Sequence, residues 1–149
     1  MIDVNNLKGR WEGSFTYGDG YPQEYFSIRE PFMFEISVDG NILKGICVDN
    51  YTKKYFHQPA TIEGSFIDGV ISLIKKYPYF LGTDEDENIF VDVTMPAHEI
   101  HYVGQMRKNL FSKEYFFEGA WDMSGSFLDD NGSANYYTME GNWEMSRSR

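Results

Sequence analysis

Two histidines stand close together in the segment His98-Glu99-Ile100-His101, where they could be metal ligands. In an extended strand, residues three apart face opposite sides, so His98 and His101 cannot bind one ion together. Glu99 and His101 do share a face, but two ligands are too few for a site. We therefore expect no metal at this segment.

The other residues with chemical potential give weaker signals. The acidic run 84–87 has the composition of a calcium loop. An EF-hand would need glycine at its sixth position and glutamate at its twelfth, where this chain has Ile89 and Met95. We interpret this run as a solvated loop. The single cysteine, Cys47, alternates onto the side of Gly45, where we expect it to be buried. As a nucleophile it would need an activating base or a cationic neighbour, which the sequence does not reveal. No Gly-x-Ser-x-Gly elbow, P-loop or dinucleotide fingerprint occurs, so we assign no catalytic residue and expect no cofactor.

Composition and charge limit the class of protein. The 149 residues include 13 Lys and Arg against 23 Asp and Glu, which gives a net charge of −10, and 17% are aromatic. A field of this sign repels phosphate backbones and anionic headgroups, so we expect neither nucleic acid nor a membrane as partner. No apolar run reaches the roughly 18 residues of a membrane span, and no leader for export is visible. We expect one domain, residues 1–149, in the cytoplasm.

The elements that must position these residues are strands. In residues 32–38, Phe32, Phe34, Ile36 and Val38 alternate onto one face, and a glycine turn precedes a returning strand. A sheet of many strands closes or splits into a sandwich, and short links favour closure. We therefore predict an all-β fold, a single antiparallel up-and-down meander barrel of eight to ten strands with no secure helix. The predicted strands cover residues 9–17, 32–38, 42–49, 60–66, 70–76, 98–104, 114–122 and 134–145, with weaker candidates at 24–29 and 88–94.

A repeated Glu-Gly-x-aromatic pattern orients four of these strands. Each glutamate precedes its glycine, so the two face opposite sides, and the glycine side also carries the tryptophans. We assign the aromatic side to the barrel interior and the acidic side to solvent. The mid-strand glycines have two explanations: they let the strands bend, or they leave a lumen for one small ligand. Both can hold at once. The four pairs are Glu12-Gly13, Glu63-Gly64, Glu118-Gly119 and Glu140-Gly141.

The segment Gly9-Arg10-Trp11 resembles the Gly-x-Trp signature of the calycin barrels, which include lipocalins, fatty-acid-binding proteins and avidins. The resemblance implies that Trp11 closes one end of the barrel and packs with a basic residue, for which Arg147 is the candidate. The chain departs from these families elsewhere. It has no Thr-Asp-Tyr motif or disulfide pair, its short turn at residues 18–20 leaves no room for a helical lid, and Gly13 replaces the asparagine that contacts biotin.

The aromatic interior leads to a functional hypothesis. We expect a barrel that binds a small apolar or aromatic ligand, with site residues Trp11, Phe15, His98, Tyr102, Trp121 and Trp143. His98 would be a polar contact, or would only hydrogen-bond at the barrel mouth. The strongest alternative is a barrel filled by its own side chains that acts through its surface. A weaker one is a lyase or isomerase with His98 and Tyr102 as acid and base.

Overall fold

A computed structural model describes residues 2–148, except for the side chains of residues 127 and 128. The described chain forms ten strands and one short α-helix, α1 (Asn50–Tyr55). The strands are β1 (Gly9–Thr16), β2 (Arg29–Asp39), β3 (Ile42–Asp49), β4 (Ala60–Ile67), β5 (Val70–Lys76), β6 (Phe80–Thr83), β7 (Ile89–Asp92), β8 (Ile100–Lys108), β9 (Tyr115–Leu128) and β10 (Ala134–Arg147).

Eight of the strands close into an antiparallel barrel, which confirms the predicted fold class. The order around the barrel is β1-β10-β9-β8-β5-β4-β3-β2, and β2 pairs with β1 to complete the closure. Strands β6 and β7 pair only with each other and form a separate hairpin between β5 and β8. The sequence did not predict β6, because its four residues show too few alternations to indicate a strand.

Three local predictions were wrong. The weak strand at residues 24–29 is instead part of an exposed connection that contains a 3-10 turn, Gln23–Tyr25. Because β2 begins only at Arg29, the β1–β2 connection spans residues 17–28 and is longer than the predicted short turn. Helix α1 was also missed, since six residues are too few for a helical period. Its signal is the capping box of Asp49 and Thr52, in which each side chain accepts the other residue's backbone N–H.

The predicted sidedness is confirmed. The rings of Trp11, Trp121 and Trp143 are buried, while the four repeated glutamates are exposed. The glycines that follow these glutamates allow neighbouring strands to approach closely. A Cβ atom on Gly64, for example, would collide with the backbone carbonyl oxygen of Ser72. This geometry favours the bending interpretation, because the neighbouring strand occupies the space that the side chain would need.

The two ends of the barrel differ. At the end that we call the closed end, a 3-10 turn (Val4–Leu7) crosses the barrel, and the Trp11 Nε1–H donates to the Leu7 carbonyl at 2.8 Å. The Arg147 guanidinium lies 4.5 Å from the centre of the Trp11 ring, as expected, and donates to the backbone carbonyls of Lys8 and Asn6. The opposite, open end carries the β1–β2 connection, α1, the β6–β7 hairpin and the extended β9–β10 hairpin. Among residues 2–148, no helix is long and apolar enough to cross a membrane.

Candidate functional site

A cavity of about 530 Å³ lies inside the open end. The ends of the barrel strands form its floor, and the connections at this end form its walls. Its lining is rich in aromatic side chains, which include seven of the eleven tyrosines in the chain. Those tyrosines are Tyr17, Tyr21, Tyr51, Tyr77, Tyr79, Tyr102 and Tyr137.

The structure brings four of the six predicted site residues to this cavity, namely Phe15, His98, Tyr102 and Trp121. The indole N–H of Trp121 donates to the backbone carbonyl of Thr16 at 2.8 Å, which fixes the orientation of the ring. The T-shaped contact of this indole with Phe15, at 6.0 Å between ring centres, continues the aromatic wall.

The other two predicted residues lie elsewhere. Trp11 is at the closed end, where its ring contacts Phe117. Trp143 is buried between the ends, where its ring packs on Tyr102 at 5.6 Å and its N–H donates to the Ala120 carbonyl at 3.0 Å. Strand alternation predicted the face on which both indoles lie, but it does not specify the height of a residue along the barrel.

His98 is half-buried at the cavity wall, with its ring 4.9 Å from that of Phe80. Burial lowers the pKa of the imidazole below its ordinary value of about 6.5, and a hydrogen bond with the backbone of Ser124 only partly opposes this shift. The ring is therefore neutral at pH 7. A neutral imidazole that donates one N–H keeps its second nitrogen as an acceptor, so His98 is suited to a polar contact.

Lys75 is a cavity residue that sequence reasoning missed. It alternates inward with Ile71 and Leu73 in β5, and only 1% of its side chain is exposed. Its Nζ atom lies 2.5 Å from Oδ2 of Asp49, which is also buried. The continuing alternation of β5 was the available signal, since it places a lysine on the apolar face.

Asp49 holds several parts of the open end together. Its Oδ2 accepts the Tyr77 hydroxyl at 2.7 Å, and its Oδ1 accepts the backbone N–H of Thr52 at 2.9 Å. Strand β3, helix α1 and the residues after β5 therefore meet at one carboxylate. Because Asp49 is also the N-cap of α1, the ion pair with Lys75 anchors this helix to the cavity floor.

The protonation states of the pair follow from its partners. Burial alone would raise the pKa of Asp49, but the Lys75 ammonium and the hydrogen bonds outweigh burial and lower it. Burial alone would lower the pKa of Lys75, but the surrounding groups, of which Asp49 is the charged one, raise it well above the ordinary value. Both groups are therefore ionised at neutral pH. The nearby Cys47 is buried, as predicted. Burial raises the pKa of its thiol to about 12, so the thiol is protonated.

A second polar cluster lies at the mouth of the cavity. The hydroxyls of Tyr17 and Tyr51 are 2.6 Å apart, and the Tyr17 hydroxyl also donates to Glu30 at 3.4 Å. The Asn50 side-chain amide donates to the same carboxylate group at 2.7 Å. Burial raises the pKa values of both tyrosines, so their hydroxyls stay protonated and act as hydrogen-bonding groups.

The acidic run at residues 84–87 is the exposed turn of the β6–β7 hairpin. Oδ1 of Asp84 accepts the backbone N–H groups of Asp86 and Asn88, each at 2.9 Å. This carboxylate therefore stabilises the turn itself, in agreement with its interpretation as a solvated loop.

Comparison with protein-family models, curated proteins and solved structures finds no match to this chain. Function must therefore be argued from the cavity. Its aromatic walls offer stacking surfaces, and its tyrosine hydroxyls and neutral imidazole offer hydrogen bonds. An arrangement of this kind can bind a small, mainly apolar molecule and orient its polar groups.

Proposed function

We propose that this protein is a small-molecule-binding barrel of calycin-like form, which takes an apolar or aromatic ligand into the cavity at its open end. The observation that carries the proposal is the cavity itself. Its volume of about 530 Å³ falls within the common range for ligand pockets, about 300–1,000 Å³. The strongest alternative was a barrel filled by its own side chains, and open space of this size favours a ligand.

The position of each residue suggests how a ligand would be held. Trp121 and Phe15 would contact its rings edge to face or stacked, since the Trp121 indole is oriented by its hydrogen bond and the Phe15 ring packs against it. Tyr102 on the floor and His98 on the wall would meet its polar atoms. Lys75 would supply a positive potential at the floor, although Asp49 largely balances its charge.

Titration with N-phenyl-1-naphthylamine, a neutral aromatic probe that fluoresces in apolar surroundings, tests this proposal. The discriminating variant is Met123→Trp, which adds volume in the cavity lining. Met106→Trp is the matched control, because Met106 is also partly buried but lies at the closed end. We expect saturable binding by the wild type and the control, and an affinity at least ten-fold weaker for Met123→Trp.

Two results would contradict the proposal. One is the absence of saturable binding to the wild type, and the other is equal weakening by both substitutions. Native mass spectrometry of freshly purified protein supplies a second measurement, in which a reproducible retained adduct identifies the natural ligand by mass. That adduct should be reduced in Met123→Trp and unchanged in Met106→Trp.

A further inference from the structure

The negative charge of the protein is concentrated at the open end, where the cavity lies. The connections and strand ends there cover residues 17–30, 49–59, 75–101 and 122–141, and they hold fourteen acidic side chains against five cationic ones. The rest of the sequence holds nine acidic and eight cationic residues, so it is close to neutral. Almost all of the net charge of −10 therefore belongs to the end that carries the cavity.

Ion pairing does not remove this excess. Three of the five cations are already bound to carboxylates, in the pairs Lys75–Asp49, Lys76–Glu99 and Arg29–Glu144. The other two, Lys53 and Lys54, are exposed on helix α1. A cleft surrounded by one sign of charge concentrates ions of the opposite sign and repels ions of its own sign. The open end therefore attracts cations and repels anions.

Glu30 brings one of these carboxylates to the rim of the cavity. In β2 it alternates onto the same side as the buried Phe32 and Phe34, so it continues the inward row where the strand reaches the open end. Its partner across the sheet is Phe15, which lines the cavity. Within residues 2–148, no ion pair joins Glu30 to a cationic side chain. The chain thus places an acid on the inward side and supplies no cation for it.

The carboxylate of Glu30 is held in place and can accept further hydrogen bonds. The side-chain amide of Asn50 donates to Oε2 at 2.7 Å, and the hydroxyl of Tyr17 donates to Oε1 at 3.4 Å. A carboxylate has about four acceptor positions on its two oxygens, so these two bonds leave room for an ammonium group.

Aromatic rings stand beside this carboxylate. The rings of Tyr17 and Tyr21, both in the cavity lining, are 4.7 Å apart in a T-shaped contact. The faces of such rings carry partial negative charge and attract cations. The rim therefore combines a carboxylate with aromatic faces, which is the chemistry that binds organic ammonium ions.

The floor of the cavity already holds a cation of its own. The ammonium of Lys75 lies over the rings of Tyr77 and Phe15, at 4.7 and 5.5 Å from their centres, and its charge is balanced by Asp49. An anionic ligand would have to displace Asp49 from Lys75, although Asp49 is also the N-cap of α1. A second cation at the floor would be repelled. The charge of a ligand is therefore best placed at the rim, and its sign is positive.

We propose that the ligand of this cavity is a cationic amine with an apolar or aromatic body. The inference rests on the proposed function, because it names the class of ligand for the same cavity. The ammonium group binds the carboxylate of Glu30 and the ring faces of Tyr17 and Tyr21 at the rim. The body lies deeper, against Trp121 and Phe15.

Three probes that share a naphthalene ring and differ in charge test the inference. They are 2-(1-naphthyl)ethylamine, which is a cation at pH 7, the neutral 2-(1-naphthyl)ethanol and the anion 1-naphthylacetate. Isothermal titration calorimetry measures the affinity of each. We expect the wild type to bind the amine about ten-fold tighter than the alcohol, because charge-assisted hydrogen bonds are about twice as strong as neutral ones. The anion should bind more weakly than the alcohol.

A pair of variants on one strand locates the charge that makes the difference. Glu30→Gln keeps an acceptor oxygen but removes the charge, so it should weaken binding of the amine about ten-fold and leave binding of the alcohol unchanged. The preference that remains in this variant comes from the surrounding acids and should shrink at high salt. Glu35→Gln is the matched control, because Glu35 removes the same charge from β2 but is exposed on its outer side, and it should bind all three probes like the wild type. Circular dichroism checks that both variants keep the fold.

The outcomes separate this inference from the proposed function. Equal affinity for the amine and the alcohol, tighter binding of the anion, or the same loss in both variants would contradict the cationic ligand. Binding of the alcohol in those cases would still support a cavity that takes small molecules. If none of the three probes binds, and N-phenyl-1-naphthylamine does not bind either, both proposals are wrong.

Discussion

Removal of one charge from the buried ion pair should destabilise this protein more than any surface substitution. In Lys75→Met, the carboxylate of Asp49 stays buried and loses the ammonium that lies 2.5 Å away. Breaking a buried pair in this way costs about 3–5 kcal/mol, because one charge remains without compensation. A domain of this size typically has a free energy of unfolding of about 5–15 kcal/mol, so the variant should fold but with a much lower urea midpoint.

A double-mutant cycle separates the free energy lost with the ion pair from the free energy lost with packing. Asp49→Asn removes the charge but keeps a good N-cap for α1. The double variant Lys75→Met/Asp49→Asn should be at least about 2 kcal/mol more stable than the sum of the single losses predicts, because neither charge is then left alone. Lys76→Met is the control, since Lys76 faces solvent and pairs with Glu99 at 3.2 Å, and it should cost about 0–1 kcal/mol.

The assay is urea unfolding followed by tryptophan fluorescence, with circular dichroism as a second probe to check two-state behaviour. If the two single losses in free energy of unfolding add up to the loss of the double variant within about 0.5 kcal/mol, the two charges are not coupled and the prediction is wrong. The pH dependence provides an internal check. Because the pKa of Asp49 is lowered by folding, its contribution is complete above about pH 4 and is lost as the pH falls through the folded-state pKa. The coupling should therefore disappear in acid.

Three further predictions concern the closed end, the bent strands and the cavity wall. Arg147→Met removes the cation over the Trp11 indole and two hydrogen bonds, so it should lower the free energy of unfolding by about 1–3 kcal/mol in the same urea assay. Arg107→Met is the control, because Arg107 lies on the surface, and it should cost at most about 1 kcal/mol. Gly64→Ala should cost about 3 kcal/mol or prevent folding, because the new Cβ collides with backbone, whereas Gly69→Ala, in open space, should cost about 1 kcal/mol for its positive φ. Because folding lowers the pKa of His98, thermal stability should fall as the pH drops below about 6.5, and His98→Gln should reduce this slope. An unchanged slope would contradict the assignment of a neutral, half-buried ring.

The alternation of apolar and polar residues, with a period of two, was sufficient to predict the fold class and which face of each strand lies inside. A closed barrel must bury one face of each strand, so alternation that places Trp11, Phe34 and Trp143 on one side leaves a single way to orient the sheet. The Glu-Gly-x-aromatic repeat specified solvent and interior in the same way. Periodicity could not indicate β6 or α1, since four and six residues contain too little of any period.

Height along the barrel and the partners of a buried charge depended on tertiary structure. Trp11, Trp121 and Trp143 share one face in the sequence pattern, yet only Trp121 reaches the cavity, because strand register and tilt set the level of each residue. Lys75 and Asp49 are 26 positions apart in the chain, and no local rule joins them. The sequence by itself determined which side chains face inward, because that choice depends on neighbours in the same strand. Which of them meet around an open space was decided only when distant strands closed on one another.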